Sequence, residues 1–244
     1  MEFNKGLIYK IIDNKITTLT LSDLNKQELN VIYHALNLNH SLKRISLYHN
    51  QIDDITLLCK SLGNNSCLQK LDLTFNKIED ITPLKFLSNS YLEELILSEN
   101  KIKDITPLKF LSNYRLKILD LSCNKIKDIT SLKFLSNSCL QELDLSYNQI
   151  KNITPLKCLE NISCLKILNL IYNQIEDITP LKFLSKSCLK VLYLNYNQIE
   201  DITPLKFLSN SCLKYLCLNG NKINDQDIQK IKELTKLKQI TLTI

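Results

Sequence analysis

One nine-residue pattern, L-x-x-L-x-L-x-x-N, returns along almost the whole of this 244-residue chain. Copies start at Ile16, Leu42, Leu68, Leu92, Leu116, Leu140, Leu165, Leu189 and Leu213, and a final half-copy is expected from Leu237. The step is 24 residues through most of the chain, 25 once, where Ile162 reads as an insertion, and 26 for the first two copies. A unit this short cannot enclose a core of its own. It has to bury its apolar face on its neighbours, so the chain is expected to be one elongated stack of units.

Each invariant position has a physical reason. In Leu192-Tyr193-Leu194, period-two alternation sends both leucines inward and the tyrosine outward from a short strand. Copies must then stack side by side as one parallel sheet. The chain turns away from the sheet at Asn50, Asn76, Asn100, Asn124, Asn148, Asn173, Asn197 and Asn221. An amide there can both donate to and accept from backbone groups that no strand satisfies, so these residues are expected to form an internal structural ladder.

The second half of a copy reads N-x-I-x-D-I-T-P-L-K-F-L-S-N. Ile199 and Ile202, then Leu205 and Leu208, recur three apart and mark the inward face of a helical or 3₁₀ turn. Thr203 is expected as its N-cap, with Pro204 at the first helical position and Asp201 favourably placed just upstream.

The ends depart from the pattern. Residues 7–21 read as two strands around a turn at Asp13-Asn14-Lys15, so residues 1–15 are expected as a capping strand or hairpin. Asn25 and Glu28 suggest a capping box opening a longer helix over Leu29, Ile32 and Leu36. Residues 16–236 then hold nine repeats, and residues 237–244 a terminal half-repeat strand. Its outer edge is a candidate for pairing with another copy or a partner.

The period and motif resemble the leucine-rich repeat family, from about residue 16 to residue 244. The form I-x-D-I-x-P-L-x-x-L is similar to the SDS22-like and internalin-like classes, with ends closer to the ribonuclease-inhibitor-like class. The resemblance implies an α/β solenoid: a horseshoe or arc with a parallel β-sheet on its concave side and short helices or 3₁₀ turns on its convex side. It also implies a non-enzymatic scaffold for protein–protein interaction. By the SDS22-like likeness alone, the alternative is a regulatory subunit of an enzyme such as a protein phosphatase.

Composition narrows the function without naming a partner. No apolar run is long enough for a membrane span, and the N-terminus lacks the uninterrupted apolar segment of a secretory signal. An intracellular, cytoplasmic protein is expected. Nine cysteines, none in a C-x-x-C pair, fit reduced thiols. Five of them, Cys67, Cys139, Cys164, Cys188 and Cys212, share the position just before the first Leu and are expected to be mostly buried. Three histidines outside any ligand motif and three scattered glycines offer neither a metal site nor a phosphate loop, so no catalytic residue, metal or cofactor is assigned.

The net charge of +6 includes a lysine column, Lys85, Lys109, Lys133, Lys157, Lys182 and Lys206. An aspartate column five residues upstream offsets it in most copies, and no aromatic or arginine residues are interleaved to read bases. Nucleic acid is therefore not the expected partner. The phenylalanines beside those lysines, Phe86, Phe110, Phe134, Phe183 and Phe207, are expected to pack between turns.

The informative variation lies at the third, fifth, seventh and eighth residues of each copy, which face outward. Early copies offer Arg44, Tyr48, His49, Lys70, Asp72 and Phe75; middle ones Glu94, Glu99, Asp120, Glu142 and Asp144. From the seventh copy the character changes to Ile167, Ile171, Tyr172, Val191, Tyr193, Tyr196 and Tyr215. These seven are the candidate partner-binding residues, because exposed tyrosines and branched aliphatics are the material of protein-binding hot spots. The acidic middle is expected to orient a basic segment of the partner.

Overall fold

The computed structural model describes residues 5–111 and 115–244. Among them the L-x-L segments form ten short strands: β1 (Thr18–Thr20), β2 (Arg44–Ser46), β3 (Lys70–Asp72), β4 (Glu94–Ile96), β5 (Ile118–Asp120), β6 (Glu142–Asp144), β7 (Ile167–Asn169), β8 (Val191–Tyr193), β9 (Tyr215–Cys217) and β10 (Thr241–Thr243). They make one sheet in chain order, and every pair is parallel. Corresponding residues stand opposite each other, as in Leu119 beside Leu143 beside Leu168. Inward leucines such as Leu140, Leu143 and Leu145 are completely buried. No helix among the described residues is long and apolar enough to cross a membrane.

The asparagines tie each turn to the one before it. Asn148 Oδ1 accepts from Ile126 N at 2.9 Å, and its Nδ2 donates to the Leu121 carbonyl at 3.0 Å and the Leu145 carbonyl at 3.1 Å. The same pair of inter-turn bonds recurs from Asn76 to Asn221, and Asn50 bonds Leu24 N and the Leu21 carbonyl in the same sense. One side chain thus satisfies groups on two turns that no strand reaches.

Opposite the sheet, six 3₁₀ segments begin at Thr82, Thr106, Thr130, Thr154, Thr179 and Thr203. The N-cap expected of Thr203 belongs elsewhere. The 3₁₀ segment already begins at Thr203 with the proline second, and Asp201 Oδ1, two residues upstream, accepts from Thr203 N at 2.7 Å. Asp54, Asp80, Asp104, Asp128 and Asp177 do the same, and Asn152 takes the role at 2.9 Å in the copy lacking the Asp. Hydrogen bonds from Thr56, Thr106 and Thr203 hold the carboxyls of Asp54, Asp104 and Asp201 below the usual range.

The six lysines of the column are exposed. Phe86, Phe110 and Phe134 are half-buried, with the ammonium groups of Lys85, Lys109 and Lys133 at 5.2, 5.1 and 5.2 Å from their ring centres. The side chains of Phe183, Phe207 and Leu208 lie outside the described ones.

The ends differ from the sequence reading in two places. Residues expected as a strand form helix α1 (Lys5–Ile12). Leu7, Ile8, Ile11 and Ile12 are spaced for one helical face, which packs against the core with Ile11 fully buried. The helix ends with Asn14 at φ 57°, Lys15 N bonded to the Lys10 carbonyl and Asn14 N to the Ile11 carbonyl, a Schellman stop. At the other end Leu237 does not begin a copy. It closes helix α4 (Asp225–Leu237), and the register sets Thr241 beside Tyr215, so Gln239 occupies the place of the expected leucine.

Between these ends, α2 (Lys26–Leu36) carries the Asn25–Glu28 capping box, and α3 (Thr56–Leu62) is the last helical turn before the 3₁₀ segments. A further correction concerns the thiol column. Cys67, Cys139, Cys188 and Cys212 are exposed and Cys164 is half-buried, because the position precedes the inward leucine and lies outside the core.

Candidate functional site

Parallel registration turns each outward position into a row across the concave face. At the third position Ile167, Val191 and Tyr215 stand on adjacent strands, and at the fifth Asn169, Tyr193 and Cys217 do the same. Strands lie about 4.8 Å apart, so the third-position row is a continuous apolar strip, with Tyr193 beside it and Asn169 at its polar border. Ile171 follows in the row at the seventh position, beside Asn195 and Asn219, whose side chains bond each other at 3.3 Å.

The eighth position forms a row of its own. Asp23, His49, Phe75, Glu99, Cys123, Tyr147, Tyr172 and Tyr196 all have φ between 50° and 58°. This is the left-handed region, which costs a non-glycine residue roughly 1–2 kcal/mol. From His49 onward the chain accepts it because the next residue is the ladder asparagine, whose side chain has to reach back to the preceding turn; after Asp23 the next residue is Leu24, whose N–H is instead bonded by Asn50 Oδ1.

The side chains of this row stack across turns. Tyr147 lies 4.5 Å from Tyr172, and Tyr172 lies 4.2 Å from Tyr196 with ring planes 9° apart. Tyr196 then leans over Gly220 (φ 68°), where a Cβ would stand 2.4 Å from its ring. Each such aromatic contact contributes about 0.5–1.5 kcal/mol. Tyr172, Tyr196 and Tyr215 remain 41%, 46% and 49% exposed.

The register therefore gathers the seven expected residues on three neighbouring turns. It also adds Tyr147, which the sequence reading omitted because it placed the border at the seventh copy. Following one repeat position down the chain would have found it, along with the glycine that ends the row.

Next to the tyrosines the face is acidic. Asp144 Oδ1 accepts from Ser146 N and Oγ at 2.8 and 2.6 Å, and its Oδ2 accepts from Asn169 Nδ2 at 2.7 Å. Asp120, directly beside it, is held by Ser122 in the same way. Burial first, then like charge from Asp120, raises the Asp144 carboxyl, against the lowering by its hydrogen bonds. Glu142 is raised by burial and by Asp144, Asp120 and Glu94. Burial, a hydrogen bond with Glu99 and the neighbouring carboxylates push the Cys123 thiol up to about 12.

A raised folded-state pKa means that ionisation costs the folded chain more than the unfolded one. Stability from the protonated carboxyl is present at low pH and lost as pH rises through the folded pKa. Glu142→Gln is therefore expected to melt about 1 °C higher than the parent at pH 7, with the difference vanishing toward pH 3.5 in a thermal-melt series.

At the far end of the same face, Arg44, Tyr48, Lys70, Asp72 and Glu94 help line a shallow depression of about 470 Å³. Its charges are largely answered within the chain: Lys70 pairs with Glu94 at 2.8 Å and Ser46 Oγ donates to Asp72 at 2.9 Å. Among the described residues no group of three or more His, Cys, Asp or Glu side chains is arranged to hold a metal ion.

A family model described as leucine rich repeat matches residues 114–175, and one described as leucine rich repeats (2 copies) matches residues 40–86, 92–134, 165–210 and 189–233. The chain belongs to the leucine-rich repeat family. Among solved structures it is similar to an internalin (inlF) from Listeria monocytogenes, with 30% identity and a TM-score of 0.69 over 94% of this chain. The match spans 61% of that internalin chain. Internalin C2 (inlC2) from the same organism is 36% identical, with a TM-score of 0.64, and the match covers 86% of this chain and 84% of that one. A plant ice-binding protein, 19% identical with a TM-score of 0.60 over 86% of this chain and 66% of its own, shares the fold alone. No curated protein matches the sequence significantly. Leucine-rich repeat scaffolds commonly serve as protein-interaction modules, and the ten-stranded parallel sheet with 3₁₀ turns is the internalin type of that solenoid.

Proposed function

We propose that this leucine-rich repeat chain is a non-catalytic interaction module that grips a protein segment on its concave face, through the turns carrying β7, β8 and β9. The observation that supports this most is the registration of Ile167, Val191 and Tyr215 into an apolar row beside Tyr193 and a half-exposed tyrosine stack. Anchors of this kind dominate binding energy when a partner excludes water from them.

The neighbouring carboxylates describe the partner further. Glu142 and Val191 are two strands apart, about 10 Å, or roughly three residues of extended chain. A fitting segment therefore crosses the strands with bulky apolar residues on the tyrosine side. It carries Lys or Arg about three residues away, over Glu142, Asp120 and Asp144. Such charges would steer and orient binding more than tighten it.

Tyr193 and Tyr215 are the informative substitutions, because they contribute to the face without belonging to the tyrosine stack. The double variant Tyr193→Ala/Tyr215→Ala is expected to weaken partner capture at least tenfold, about 1.4 kcal/mol, while the melting temperature falls by no more than about 3 °C. The check is quantitative affinity capture from the native source, with thermal melts of both proteins. Equal capture by the folded variant would remove this face from consideration.

A further inference from the structure

Past the ladder asparagine the middle copies run on as x-I-x-D or x-I-x-N, outside the sheet. The isoleucine is buried and the residues on either side of it reach solvent, so each turn adds one row to a flank of the solenoid. Hydrogen bonds hold these rows in register. Lys125 N bonds the Ile102 carbonyl, Gln149 N the Ile126 carbonyl, Gln174 N the Ile150 carbonyl and Gln198 N the Ile175 carbonyl, each at 2.9 Å.

Charge is sorted along this flank. The residue after the isoleucine is Lys103, Lys127 and Lys151 on three consecutive turns, then Glu176 and Glu200 on the next two, and all five are exposed. Asp104 and Asp128, which follow the first two lysines, are offset by Lys101 and Lys125, and Asn152 follows the third. Asp177 and Asp201 have only Gln174 and Gln198 in the offsetting place. The flank is therefore positive over three turns and negative over the next two.

The two halves share one surface. Lys151 lines a shallow depression of about 370 Å³ with Glu176 and Asp177, and those two acids line the next, of about 410 Å³, with Glu200 and Asp201. Among the described residues, none of Lys103, Lys127, Lys151, Glu176 and Glu200 is in an ion pair within the chain.

This pattern is complementary to itself. A two-fold axis in the plane of contact, between the turns of Lys151 and Glu176, sets the flank of a second copy antiparallel to the first. Lys151 then faces Glu176 of the second copy, Lys127 faces its Glu200, and each pair occurs twice. A polyanion would satisfy the lysine half alone and be repelled by the acidic half, whereas a second copy answers both. The net charge of +6 sets two copies against each other wherever contact is not complementary, which favours this register over others.

We infer that two copies of this chain associate flank to flank across this two-fold, through the Lys127–Glu200 and Lys151–Glu176 pairs. Exposed pairs are individually weak and screened by salt, so the association is reversible and salt-sensitive. The flank lies outside the sheet, so the concave face stays open in both copies.

The test is sedimentation equilibrium of the full chain in dithiothreitol, which keeps the exposed cysteines from cross-linking. At about 0.01 M ionic strength a reversible monomer–dimer equilibrium is expected below about 100 μM, with Kd at least about tenfold higher at about 0.3 M. Lys127→Glu and Glu200→Lys are each expected to weaken the dimer at least about tenfold, although they move the net charge in opposite directions. The double variant Lys127→Glu/Glu200→Lys exchanges the two partners and is expected to restore the parent Kd to within about threefold. Lys133→Glu, on the 3₁₀ side, is expected to stay within the same range. A chain that is monomeric throughout at low salt, single variants that shift Kd in opposite directions, or a double variant no better than either single would overturn the proposal.

Discussion

Replacing Asn148 with Ala is expected to lower the stability of the folded chain by about 3 kcal/mol. The side chain accepts from Ile126 N and donates to the Leu121 carbonyl, both on the preceding turn and both buried. Alanine supplies neither bond, and water has no path to the two groups left behind. Each orphaned buried group costs roughly 1–3 kcal/mol. The loss falls on one interface between units, and repeat stability is approximately a sum over such interfaces. Urea unfolding followed by circular dichroism should therefore show an earlier midpoint and a broader transition, as the two halves begin to unfold separately. A variant within about 0.5 kcal/mol of the parent would mean that the ladder bonds are not essential to stacking.

An effect of similar size is expected from Leu143→Ala, about 2–5 kcal/mol, because Leu143 is completely buried at the centre of β6 and its removal leaves a cavity between Leu119 and Leu168. The matching control is Ile167→Ala on the adjacent strand, where the side chain faces outward and is only half-buried. That change is expected to cost about 1 kcal/mol or less. The contrast, measured by the same denaturant titration, reports which face of the sheet is the core. Equal losses at the two positions would contradict the assigned orientation of the strands.

Positions that repeat with an invariant chemical role were legible in the sequence. Leu143 and its equivalents face inward because alternation allows nothing else, and Asn148 bonds backward because the turn leaves groups there unpaired. The candidate patch was legible for the same reason: fixed register makes Ile167, Val191 and Tyr215 neighbours from their numbers alone.

Departures from the repeat were harder to read. Residues 5–12 are rich in isoleucine, which suits strands, yet the spacing of Leu7, Ile8, Ile11 and Ile12 gives one helical face, and tertiary packing decided the outcome. Leu237 imitates a repeat start, but the longer final helix absorbs it and carries the register two residues on.

The thiol column was misplaced by composition, since free cysteine is usually buried, whereas here the position lies beyond the inward leucine. Tyr147 was missed because the contrast between copies was drawn by chain order. Its ring belongs to the stack through a contact with the next turn, which becomes visible only when one position is followed across turns.

Hydrogen–deuterium exchange of the captured complex tests the concave-face account most directly. The amides of residues 165–173, 189–197 and 213–221 are expected to gain protection on binding, with a weaker gain at 140–148 under the acidic rows. Protection confined to the 3₁₀ segments beginning at Thr154, Thr179 and Thr203, or to the depression around Arg44 and Lys70, would contradict it.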